Sequence, residues 1–374
     1  MIDSFFSKCI ASLVIVFGGT LGLGTIEAQT EKGLTELAET MVKDSGFPAV
    51  FVAIDRGTEN PLIAAAGIRK SGNNTPVTSD DKIHLGSCTK SMTAVLIARL
   101  VEQKKLAWTD TIETRMPEVA KKIPESHRQV TLAQLLQHRS GFPADARNWW
   151  MHNGATISEF RIAILTDSLN NLPLKPAGKE ELYSNLGYMT AGLMAEYAMG
   201  SSWEQLIQQY VFHPLDMATA GFGPPSTLGS LEQPWGHLLT EDNRFNALQH
   251  DNAPALGPAG TVHMSVRDWC KYCQIFCGNG PKGYLSDDSI KKLVTPDLND
   301  KYALGWGAVD RPWAGGRALT HSGSNTLWFS TVWIAPAKKT VYIVSVNVGG
   351  GKAAKFADGA IGKLIEFNNL GKSP

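Results

Sequence analysis

The sequence predicts an α/β fold of the α+β kind, with one sheet assembled from both ends of the chain and an all-helical region inserted between them. Three observations carry this reading. Residues 49–55 and 61–67 are strand-like runs, parted by the hairpin-type turn Arg56-Gly57-Thr58-Glu59-Asn60. Beyond about residue 300, four more strand-like runs follow at 302–310, 317–324, 327–336 and 340–348. Between these ends the apolar residues recur mostly at helical spacing, with loops rich in Pro, Gly and aromatic residues. The α/β part is therefore expected at about 29–108 plus 300–374, and the helical part at about 109–299.

Taken in order, residues 1–28 read as an export signal. Lys8 precedes an apolar run from about Cys9 to Ile26, and small Ala28 offers a cleavage edge. A retained anchor is the alternative. No later segment approaches the roughly 18 unbroken apolar residues of a membrane span. The mature chain, about 29–374, is expected to be periplasmic or secreted, without an integral span once the signal is removed. Residues 31–45 place Leu34, Leu37, Met41 and Val42 at helical spacing, and Gly46-Phe47-Pro48 ends that helix. The stretch HLGSCTKSMTAVLIARLVEQ (84–103) opens polar and then turns apolar on every side of the helical wheel, the pattern of a buried helix. VTLAQLLQHRSG (130–141) sets Leu132, Leu135 and Leu136 on one face, with Thr131 as N-cap. Helical patterns recur near 157–168, 186–198, 202–211 and 264–277, and a final helix is expected over 352–367.

Of 374 residues, 43% are hydrophobic and 19% charged, an ordinary globular balance. The 35 basic and 35 acidic residues cancel, and no basic run carries interleaved aromatics, so nucleic-acid binding has no electrostatic footprint. Cys270, Cys273 and Cys277 share one face of a helical stretch. No separate Cys or His pair with metal spacing accompanies them, so they read as buried small hydrophobes and no metal is expected. Cys88 follows Ser87 and points about 100° away from it, toward packing. Trp149 and Trp150 lie in a loop and are candidates for the rim of a substrate cleft.

Ser-x-x-Lys occurs three times, as Ser79–Lys82, Ser87–Lys90 and Ser289–Lys292. The first lies in a polar turn and the third on a charged, solvent-type helix. Only Ser87–Lys90 opens a buried helix, where a serine and a desolvated lysine share one face and can act as nucleophile and base. Tyr183-Ser184-Asn185 follows the Pro176-Ala177-Gly178 break. A tyrosine beside the lysine can share the proton abstraction, and an asparagine can orient the lysine or hold a substrate amide. His321-Ser322-Gly323-Ser324 closes a strand, whose edge can offer a backbone N–H while glycine permits close approach. Another His-x-Gly, beginning at His152, sits in a polar loop.

In this order the three motifs resemble the serine β-lactamase and penicillin-binding-protein superfamily. The likeness is strongest to its class C-like branch, with D-alanyl-D-alanine peptidases and family VIII carboxylesterases. LGPAG (256–260), the helix opening MSVRDW, and YALGW (302–306) add to the resemblance, which spans nearly all of residues 31–368. It implies a β-lactamase/transpeptidase-like fold, an antiparallel sheet flanked by helices. Ser87 would be the acylated nucleophile, with Lys90 and Tyr183 moving its proton. Asn185 would position substrate and Lys90. The N–H groups of Ser87 and Ser324 would form an oxyanion hole, with Gly323 and His321 belonging to the substrate-facing motif. No cofactor is implied.

Lactamases and transpeptidases usually carry lysine where this chain has His321, and that lysine helps bind the substrate carboxylate. An ordinary histidine is mostly uncharged at neutral pH. The expectation is therefore a hydrolase of ester or small amide bonds. The alternatives are a β-lactamase or D-alanyl-D-alanine carboxypeptidase acting on β-lactams or cell-wall peptides, or a non-catalytic penicillin-binding-like protein. An apolar acyl pocket could use Trp149, Trp150 or Trp328. His138 and His237 read as structural hydrogen-bonding histidines.

Overall fold

The computed structural model describes residues 30–150, 154–297 and 301–370. The expected export signal, residues 1–28, lies outside the described residues, as do His152 and Asn153. Helix α1 (Glu31–Ser45) starts where Thr30 Oγ1 accepts the Gly33 N–H at 3.0 Å, and stops at left-handed Gly46. Strands β1 (Ala49–Asp55) and β2 (Leu62–Gly67) follow, then β3 (Lys82–His84). A 3₁₀ turn, Gly86–Cys88, leads into helix α2 (Thr89–Glu102). Helices α3 (Leu132–Leu136), α4 (Ile157–Asn171) and α5 (Asn185–Met199) come next. Thr131 and Thr156 close capping boxes on the first two.

Short strands then appear within the region expected to be helical: β4 (Gly221–Phe222), β5 (Gly236–Leu239), β6 (Phe245–Leu248) and β7 (Val262–Ser265). They form a three-stranded sheet, β3-β7-β4, and a β5-β6 hairpin, so the inserted region is not all-helical. Strands of two to four residues are too short to show alternation, and only their partners reveal them. The helical pattern at 264–277 accordingly begins later, as α6 (Val266–Gln274) with a 3₁₀ turn through Cys277.

The last strands are β8 (Gly307–Arg311), β9 (Gly316–Ser324), β10 (Phe329–Ala335) and β11 (Thr340–Val346), before helix α7 (Gly351–Asn369). The strand expected at 302–310 shortens because Gly305, at φ +85°, turns the chain close over α2; a Cβ there would sit 2.5 Å from Ser91 Cα.

The main sheet has six strands in the order β2-β1-β11-β10-β9-β8, every neighbouring pair antiparallel. Both faces of β1 are buried, and its residues divide with period two. Val50, Val52 and Ile54 join the core beneath α1 and α7. Ala49, Phe51 and Ala53 join the larger core with α2 and α6. Burial from Thr89 to Ala98 makes α2 the axis of that larger core. Cys88, Cys270, Cys273 and Cys277 are free and buried there, and burial raises each thiol's pKa. Among the described residues no helix is long and apolar enough to cross a membrane.

The helical region is clamped by Arg161 of α4, which is fully buried. Its guanidinium pairs with Glu196 of α5 and, at 2.5 Å, with Glu204, while Nε donates to Ala255 O at 3.1 Å. Removing the cation would strand Glu196 in the core, at a cost of about 3–5 kcal/mol. Arg161→Met is therefore expected to lower urea-unfolding stability by about that amount. A loss below about 1 kcal/mol would mean that the pair only offsets its own desolvation.

Candidate active site

Four segments converge on the Ser87 and Lys90 side chains: their own turn, the start of α5, the end of β9 and the short helix Gly257–Gly260 before β7. Gly86 and Gly323 let two of them touch backbone to backbone. A Cβ on Gly86 would fall inside contact distance of Ser324 N, and one on Gly323 would overlap Leu85 O and Ser87 N. Gly86 also has φ +49°, a conformation costly for other residues. The backbone nitrogens of Ser87 and Ser324 are thereby brought to one place.

Lys90, in the first turn of α2, is 0% exposed, whereas Ser87 is partly open. Lys90 Nζ donates to Ser87 Oγ at 3.1 Å, to Asn185 Oδ1 at 2.6 Å and to Ala259 O at 2.8 Å. Three acceptors satisfy the three N–H bonds of an ammonium. Burial nevertheless lowers its pKa to about 7, against the opposing pull of Asp145. Once neutral, the amine can keep two of these bonds and turn its lone pair toward the Ser87 hydroxyl.

Asn185 is the first residue of α5, and its backbone N–H is fixed to Ala144 O at 2.7 Å. Its Nδ2 donates to Asp145 Oδ1 at 2.8 Å, which orients the amide oxygen toward Lys90. Tyr183 hydrogen-bonds Ser87, and its ring centroid is 4.8 Å from Lys90 Nζ. Desolvation raises the pKa of this phenol, so it holds its proton at neutral pH. Of these two groups, the lysine can lose its proton near neutrality while the tyrosine keeps its own.

His138 stacks on Tyr183 with centroids 4.3 Å apart, and its Nδ1 accepts the Ser184 N–H at 3.0 Å. That is the structural role expected of it, although it supports the site directly. Burial, then the nearby Lys90 and His321, hold it well below its usual pKa. His237 accepts the Ser71 N–H at 2.9 Å and faces Asn347 O at 2.8 Å, away from the site.

His321 is placed differently from the substrate-facing role the motif suggested. Its ring is buried; Nδ1 donates to Ser322 O at 2.8 Å and Nε2 accepts from Tyr302 Oη at 3.1 Å, a tautomer inferred from these partners. Burial, reinforced by Lys90, pushes its pKa down to about 3. The imidazole is therefore neutral and buried, and offers no charge to a ligand. Trp328 is also no cleft wall, being buried with its ring 6.2 Å from that of Phe51. Trp149 is half-buried, with Nε1 3.3 Å from Asp145 Oδ1, and exposed Trp150 stacks on His250 at 5.6 Å.

Asp145 and the Ala259 carbonyl escaped the sequence reading. Ala259 lies within the noted LGPAG pattern, but backbone acceptors leave no residue-type signal. Asp145 sits in an irregular loop without periodicity.

The sequence matches the family model described as Beta-lactamase over residues 34–364. It is 24% identical over 315 residues to penicillin-binding protein 4 of Amycolatopsis lactamdurans, covering 78% of each chain. It is 23% identical over 296 residues to β-lactamase-like protein 2 of Dictyostelium discoideum, covering 72% of this chain and about half (50%) of that protein's length. Among solved structures, a β-lactamase/D-alanine carboxypeptidase from Pseudomonas syringae superposes with a TM-score of 0.74 at 16% identity, covering 92% of this chain and 99% of that one.

Two measurements probe the geometry. The kcat/KM for a neutral ester is expected to rise as pH passes about 7, where Lys90 loses its proton, and to flatten above it. A flat profile from pH 5 to 9 would remove Lys90 as the base. Gly323→Ala should push β9 from the Ser87 turn and lower kcat by about 10²-fold or more, the scale of one oxyanion donor. Wild-type kcat in this variant would show that the close backbone contact is dispensable.

Proposed function

The chain belongs to the β-lactamase family, and on that footing we propose that it is a serine hydrolase that forms an acyl-enzyme at Ser87 and cleaves ester or small amide bonds. The observation that carries the reading is the hydrogen bond from a desolvated Lys90 to Ser87, with a pKa near 7. A retired site has no physical need for such a lysine, which speaks against a merely binding protein.

The neutral amine of Lys90 takes the Ser87 proton as Oγ attacks the substrate carbonyl carbon. The N–H groups of Ser87 and Ser324 receive the developing oxyanion, each such donor being worth about 10²–10³ in rate. Collapse breaks the bond to the leaving group, whose oxygen or nitrogen regains the proton from Lys90 through Tyr183. Water then attacks the acyl-enzyme along the reverse proton path and frees Ser87.

Substrate charge follows from the same surroundings. His321 is neutral, and the carboxylate that acts on Lys90 belongs to Asp145. A substrate carboxylate meets no cation at 321, which supports esters and small amides over β-lactams. A second reading is supported by the match to a penicillin-binding protein: action on β-lactams or peptidoglycan peptides, with their carboxylate held elsewhere. The proposed setting is the periplasm or outside, supported by the apolar run of residues 9–26 that ends near Ala28.

Hydrolysis of a short p-nitrophenyl ester and a chromogenic cephalosporin, by wild type and Ser87→Ala, tests these readings together. The expected result is ester turnover lost by at least about 10³-fold in the variant, with little cephalosporin cleavage by either protein. Comparable cephalosporin turnover by wild type would move the second reading ahead. Ester hydrolysis unchanged in Ser87→Ala would remove Ser87 from the chemistry.

A further inference from the structure

The tripeptide His250-Asp251-Asn252 lies outside every motif of the sequence, yet it touches the supports of the site on three sides. Asp251 is only 8% exposed. Its Oδ1 accepts from Asn325 Nδ2 at 2.9 Å and lies 2.8 Å from His84 Nε2, an approach off the axis of a linear hydrogen bond. Its Oδ2 is buried and has no hydrogen-bond partner among the described residues.

Each neighbour leads to one half of the expected oxyanion hole. His84 is 0% exposed, and its Nδ1 accepts the Gly86 N–H at 3.0 Å, one residue before Ser87. That acceptor role leaves the ring proton on Nε2, facing Asp251. Asn325 directly follows Ser324. Its Oδ1 accepts the N–H groups of Leu327 at 3.2 Å and Trp328 at 3.0 Å, which fixes the turn out of β9. One carboxylate thus joins the turn carrying the Ser87 N–H to the strand end carrying the Ser324 N–H. Next to it, Asn252 Nδ2 donates to Gly260 O at 2.8 Å, steadying the segment whose Ala259 carbonyl accepts Lys90.

We infer that Asp251 is a positioning residue that holds the two backbone donors of the oxyanion hole in register, through His84 on one side and Asn325 on the other. This rests on the acyl-enzyme reading above. A polar group committed to two buried supports is retained at a desolvation cost, and its return is placement: a displacement of about 1 Å at a reacting centre can cost about 10² in rate. Asp251 itself does not touch the substrate. Its loss should therefore weaken the transition state while leaving ground-state binding nearly intact.

The experiment compares wild type, Asp251→Ala, Asp251→Asn and Asn325→Ala for ester hydrolysis and for inhibition by a simple arylboronic acid, which forms a tetrahedral adduct on the active serine. Thermal melts run alongside, and Ser87→Ala serves as control. Asp251→Ala is expected to lower kcat by about 10- to 100-fold with KM changed less than about threefold, and to weaken boronate inhibition by a similar factor. Asp251→Asn, which can still accept from Asn325, should recover part of both losses and serves if the alanine variant does not fold. Asn325→Ala should shift kcat and boronate affinity in the same direction. Unchanged kcat and boronate affinity in the folded variants, whatever their melting temperature, would overturn the inference. Full activity in Ser87→Ala would instead overturn the acyl-enzyme reading, and this inference with it.

Discussion

An ammonium group taken out of water is tolerated only if its N–H bonds find acceptors, and Lys90 meets that condition from three directions. One acceptor is the serine three residues earlier on its own turn. The others come from Asn185, nearly a hundred residues away in sequence, and from a backbone carbonyl in the short helix Gly257–Gly260 before β7. The helical region must therefore dock against the sheet at one distance and angle, or the lysine is left unpaired. Much of the remaining architecture serves that docking. Capped helices set the start of α5, the buried Arg161 clamp holds α4, α5 and the 254–255 backbone together, and glycines let β9 meet the Ser87 turn. A pKa near 7 then follows from the same burial that makes the arrangement necessary.

How much of this was legible beforehand depended on the kind of signal. Period-two and period-3.6 patterns located α1, β1, β2, α2, α5 and the closing strands within a few residues, because each buries a regular face. Ser87, Lys90, Tyr183 and Asn185 stood out as residue types in sequence order, and the structure brings these four together. The short strands β4 to β7 carried no usable periodicity. Contributions made by the backbone, such as Ala259 O, left no trace in composition. Asp145 and Asp251 are acidic residues in loops, where the ordinary expectation is solvent; only the fold shows that one carboxylate meets Asn185 and the other His84 and Asn325.

His321 reaches the uncharged state by a different route from the one its sequence position suggests. From sequence, an ordinary histidine near neutrality is only partly charged, which weakens attraction for a carboxylate. In the fold the ring is buried, bound at both nitrogens and held neutral far below physiological pH. Lys90 contributes to that neutrality, so a positive charge at either position discourages one at the other. Lys90 is left to titrate near neutrality while the imidazoles of His138 and His321 beside it stay neutral.

The four buried thiols bear on how the protein matures. None is paired, and each sits in the apolar core with its ionisation suppressed. Thiolate is the form that attacks oxidants and disulfides, so these cysteines are shielded twice, by access and by protonation. Among the described residues the fold holds together without a cross-link between these four. A thiol that is neither open to solvent nor ionised offers an oxidant little to attack, so these four side chains are placed to persist as thiols whatever meets the surface around them.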